Sequence, residues 1–305
     1  MTSGTLTLDV PLGDAAESKD RLRLLVAAAQ HLAVGGTETL RLREIFRSDP
    51  SALARQKAFA LLLDREALTV AERDALLAGA LDDPDAGIRL RACIHRGDAS
   101  SRIAEIARET NALASTRTEA LEYVERNGSR ALAGKTALGC LEAAHESVRT
   151  LAAGMAGRFG VREAVPVLVA RTREKTSDEE MAAVATALGE IGDPEAEPAL
   201  LELLERHAAG NRELRIEVVH ALARVGTAAS VPSLRAIEGG ALIAGDLERA
   251  ATVAIATLQS RLEGAGAGQI SIAEPHAEAG ALTVADTEGA LSVAAAGKKR
   301  IGSLE

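Results

Sequence analysis

A chain of 305 residues that is 47% apolar has ample material for a buried core, yet Phe46, Phe59, Phe159 and Tyr123 are its only aromatic side chains. An enzyme of this length ordinarily uses far more aromatic area to fill a thick core and wall a ligand pocket, so a core of Ala, Leu and Val argues for thin helical layers. The net charge of −9, interspersed rather than blocked, argues against nucleic-acid and anionic-membrane partners, which need a cationic face.

In chain order, the opening MTSGTLTLDV lacks the basic and apolar regions of a signal peptide. The longest apolar run, Leu24 to Val34, contains Gln30 and His31 and is too short to span a bilayer. Cys93 and Cys140 alone imply no disulfide framework, so a cytoplasmic location is expected. Residues 1–18 read as an extension with one alternating string, GTLTLD from Gly4.

Residues 19–263 read as helices throughout. DPSALARQKAFALLLD spans Asp49 to Asp64, DPDAGIRLRACIHRG closes at Gly97, and STRTEALEYVERNG closes at Gly128. Apolar residues then recur at helical spacing in Val148, Leu151, Ala152, Met155 and Phe159, in Met181, Val184, Leu188 and Ile191, and in Leu214, Val218, Ala221, Leu222 and Val225. These runs end at Gly160, Gly192 and Gly226, which are 32 and 34 residues apart, and six residues after each comes Pro166, Pro198 or Pro232. The spacing predicts a helix closed by a left-handed glycine, followed by a helix with proline in its first turn. DLERAATVAIATLQSRLEG supplies a last helix, giving about seven helical pairs with no sheet among them.

LGEIGDPEAEPALLELLE from Leu188 and DDPDAGIRLRA from Asp82 resemble the HEAT-like repeats of the phycobilisome-lyase type, a bacterial family. The resemblance implies an all-α fold, a right-handed α-solenoid of about seven helical pairs. It says little about activity, because such families include lyases, chaperones and scaffolds. The segments before Gly128 depart from the pattern in lacking its proline.

Arg89, Arg117, Arg149 and Arg215 recur 8 to 11 residues ahead of their closing glycines. Two readings are open. They form a basic ladder for an acidic partner, or each pairs with an acid of a neighbouring repeat such as Asp85, Glu146 or Glu213, and the second is the commoner use of such an arginine.

Candidate chemistry fails for want of one member each time. AGKTALG around Lys135 lacks the phosphate loop's first glycine, because Ser129 stands there, and no strand precedes it. HESVR from His145 offers Arg149 where a zinc-binding helix needs its second histidine. Cys93 and His95 are two apart on a helix and diverge, while His31, His207, His220 and His276 are scattered. No catalytic, cofactor or metal site is expected.

From residue 264 the composition changes to a glycine-rich tail, 264–305, with three alternating motifs: GQISIA from Gly268, GALTVA from Gly280 and GALSVA from Gly289. Their apolar members, Ile270, Ile272, Leu282, Val284, Leu291 and Val293, are candidate partner-binding positions on short strands that add to a partner's sheet or pair with one another. The alternative is an alanine-rich tail whose motif reflects composition. The terminal GKKRIGSLE reads as a solubilising end.

The expected function is a non-enzymatic scaffold that binds other proteins, without nucleic acid, membrane insertion or cofactor, and open to self-association. The alternative, a lyase or cofactor chaperone, rests on the resemblance to tetrapyrrole-attaching lyases. One Tyr and three Phe offer such a ring poor walls.

Overall fold

A computed structural model describes residues 37–64, 68–97, 101–208, 210–238 and 245–261. Among them the regular structure is fourteen α-helices joined by short turns, three of them 3-10 turns, with no strand. The extension 1–18, the beginning of the expected helical region and the tail 264–305 lie outside the described residues. The chain divides into two compact units, Met1–Val167 and Leu168–Glu305.

The first unit holds α1 (Thr37–Ser48), α2 (Ala52–Leu63), α3 (Val70–Ala80), α4 (Ala86–Arg96), α5 (Ser101–Arg108), α6 (Ala114–Asn127), α7 (Arg130–Leu138) and α8 (Glu146–Phe159). Starts are set chemically: the side chains of Ser51, Asp85 and Ser129 accept an amide of the first turn, and Thr69 forms a full capping box with Glu72. α1 packs on α2, α3 on α4, α5 on α6 and α7 on α8. The second helices α2, α4, α6 and α8 also pack successively on one another, as α5 does on α7, so the unit has two layers. One buried cluster runs from Leu42 and Phe46 of α1 through Phe59 and Leu62 of α2 and Leu77 of α3 to Ile88 of α4. Phe46 and Phe59 stack there with ring centroids 5.2 Å apart. Two of the chain's four aromatics are spent on one contact, and alanine and leucine do the remaining packing.

The second unit takes up most of α9 (Val165–Arg171), then α10 (Asp178–Ile191), α11 (Glu197–Arg206), α12 (Arg212–Val225), α13 (Val231–Glu238) and α14 (Asp246–Arg261). α10, α12 and α14 form one layer, against which α11 and α13 pack. The closest approach is at Gly189, where a Cβ would stand 2.7 Å from the Ala221 Cα. Small residues at this crossing let two backbones meet.

The glycine–proline punctuation holds in part. Gly97, Gly160 and Gly192 adopt the left-handed conformation at φ 69°, 63° and 76°. Gly128 and Gly226 do not: they are extended, at φ −80° and −64°. Glycine is needed there for room, because a Cβ would lie 2.5 Å from the carbonyl oxygen of Val124 or Leu222. Pro166, Pro198 and Pro232 are each the second residue of α9, α11 and α13, as the spacing predicts. The sequence did not foretell the 3-10 turns ahead of them, Arg162–Ala164, Pro194–Ala196 and Ala228–Ser230.

Candidate protein-binding surface

The recurring arginine stands four residues after the helix N-cap in every case: Arg89 after Asp85, Arg117 after Leu113, Arg149 after His145 and Arg215 after Asn211. Arg55, four after Ser51, is a further member that the glycine spacing did not reveal. One turn into a helix, such a side chain reaches back over the connection that precedes the helix.

Three of the five do so with the same geometry. Arg55 Nη1 donates to the carbonyls of Asp49 and Pro50, Arg89 Nη1 to those of Asp83 and Pro84, and Arg149 Nη1 to those of Ala143 and Ala144. Arg117, only 2% exposed, instead donates from Nε to Ala107 O at 2.9 Å. The Nε of Arg215 is buried without a hydrogen-bond partner.

Acids complete the arrangement for Arg55 and Arg89, and neither is the suspected Asp85. Arg55 takes Asp83 through Nε at 3.0 Å and Nη2 at 2.9 Å, and Arg89 takes Glu109. Asp85 instead caps α4 and accepts from Gln56 at 2.8 Å. In Arg55, Arg89 and Arg149 the guanidinium therefore braces turns, and in the first two it also holds a neighbouring segment, which is the structural reading of the ladder.

Glu197 and Glu180 are further buried carboxylates that escaped the sequence reading. Glu197, at the start of α11, accepts from Thr227 N at 2.7 Å, Thr227 Oγ1 at 3.2 Å and Ser230 Oγ at 2.5 Å, so it caps the 3-10 turn of the next pair. Glu180, 1% exposed in α10, faces Arg171 Nε at 3.8 Å.

Most of the groups weighed for chemistry sit on helices or at their ends. Lys135 is an exposed residue within α7, and a Cβ on Gly134 would stand 3.0 Å from Val161 Cγ2, so this segment is helix rather than a phosphate loop. His145 is the N-cap of α8 and His95 is exposed beside buried Cys93. Cys140 is fully buried, its Sγ donating to Ala107 O at 3.3 Å, and burial pushes its thiol above the ordinary range against the opposing influence of Arg117. A thiol held in its protonated form is a poor nucleophile. Among the described residues no group of three His, Cys, Asp or Glu could hold a metal ion.

The second helices keep one face open to solvent. On α6 it is the row Ser115, Glu119, Glu122 and Arg126. In the second unit Glu179 and Glu190 of α10 and Glu213, His220 and Arg224 of α12 are exposed, and Thr186 Oγ1 of α10 donates to Glu217 of α12 at 3.1 Å. The rows are polar and carry both signs of charge. The candidate positions Ile270, Ile272, Leu282, Val284, Leu291 and Val293 lie outside the described residues.

Residues 135–209 and 168–239 match the HEAT repeats family, about a third of the chain in all. The match covers the pairs with the regular glycine–proline punctuation and ends before α14. No curated protein matches the sequence. No helix among the described residues is long and apolar enough to cross a membrane.

Proposed function

We propose that the chain is a non-enzymatic protein-binding scaffold or adaptor in a bacterial, cytoplasmic assembly. The observation that supports this reading is the HEAT-repeat match over residues 135–239, a module that generally mediates protein interactions. Consistent with it, buried polar groups such as Arg55, Asp83 and Glu197 are used to hold neighbouring helical pairs, while rows of polar side chains on α6, α10 and α12 face solvent. On this reading the pairs ahead of residue 135 are further copies of the repeat, about seven in all, and the tail motifs add strands to a partner's sheet or to each other.

The test is affinity isolation from the source cells with the full chain beside one ending at Glu263. A protein recovered in stoichiometric amount with the full chain is the expected result, with recovery reduced by the truncation. A full chain that retains no protein, or that purifies with a visible chromophore, would overturn the reading.

A further inference from the structure

We draw no further inference here: the strongest candidate, the open polar face of α10 and α12 that carries Glu179, Glu190, Glu213, His220 and Arg224, has nothing in the structure to show what covers it.

Discussion

Arg55 grips Asp83 of the following helical pair through two parallel hydrogen bonds, while its remaining nitrogen holds the carbonyls of Asp49 and Pro50. One side chain thus fixes the turn that opens α2 and the position of the turn that opens α4. The bond to Asp83 raises the Arg55 pKa above its ordinary value, so the guanidinium keeps its charge, and both residues are 8% exposed. Removing one partner of such a pair leaves an uncompensated buried charge, at a cost of about 3 kcal/mol or more. Arg55→Ala and Asp83→Ala should each destabilise the protein by that order, and the double variant by much less than their sum. Denaturant unfolding of the four forms measures the coupling. Additive losses would show that the two side chains act independently.

DPSALAR, from Asp49, and DPDAGIR, from Asp83, carry their arginines in register, but the glycine spacing did not pick out Arg55 and neither string identifies its acceptors. Backbone carbonyls carry no residue identity, so a side chain that bonds to them leaves no partner to find in the sequence. Glu197 was hidden for another reason, since its side-chain partners Thr227 and Ser230 lie 30 and 33 residues away. Glycine spacing located the helix ends well because any closing turn favours glycine. It did not separate Gly160, which needs positive φ, from Gly226, which needs an absent Cβ. Either cause produces the same letter.

The glycines give a contrast that can be measured. Gly79 lies exposed within α3 and a Cβ there would meet nothing within 4 Å, so Gly79→Ala should stabilise by about 0.5–1 kcal/mol through helix propensity. Gly189→Val should lose about 1–3 kcal/mol, because α10 and α12 must part to admit the side chain beside Ala221. Thermal or denaturant midpoints of the two variants decide it. A neutral Gly189→Val would mean that the α10–α12 contact adapts freely.

Acid should weaken the α1–α3 contact. Glu72 accepts from Arg43 Nη2 at 2.7 Å and from the Thr69 amide at 3.0 Å, and these bonds, Arg43 first, hold its carboxyl down to about 2 from an ordinary 4.5. A depressed folded-state pKa contributes stability that is full above the unfolded value and is lost as pH falls towards the folded one. Between about pH 5 and about pH 2 the melting temperature of the wild type should therefore fall more than that of Glu72→Gln. Parallel pH profiles would remove Glu72 from the account of acid sensitivity.

Both cysteines should be silent in the folded protein. Cys93 is 1% and Cys140 0% exposed, and burial raises the Cys140 pKa, so little thiolate is accessible to a reagent. A chromogenic thiol reagent should label neither in buffer and both in denaturant. Rapid labelling under native conditions would reveal opening of the α7–α8 connection, which holds Cys140, or of α4, which holds Cys93.

The tail carries the sharpest test of the scaffold reading. Leu282, Val284, Leu291 and Val293 are the apolar members of two alternating motifs, and in an extended segment alternate residues point to the same side. A solvated strand gains nothing from that arrangement, whereas burial against a partner contributes about 1.5 kcal/mol or more for each side chain, less the cost of ordering the segment. Neighbouring helical pairs stabilise a repeat array through their mutual contacts, so the tail should be dispensable for folding. Replacing the four residues together with Ser is expected to leave helical content and melting unchanged while partner capture, or self-association where the strands pair with one another, drops sharply. Binding that survives the substitution would return the motif to a compositional accident. A large loss of thermal stability would show instead that the tail packs back on its own helices, and binding by the repeats would then have to be sought on the open rows of α6, α10 and α12.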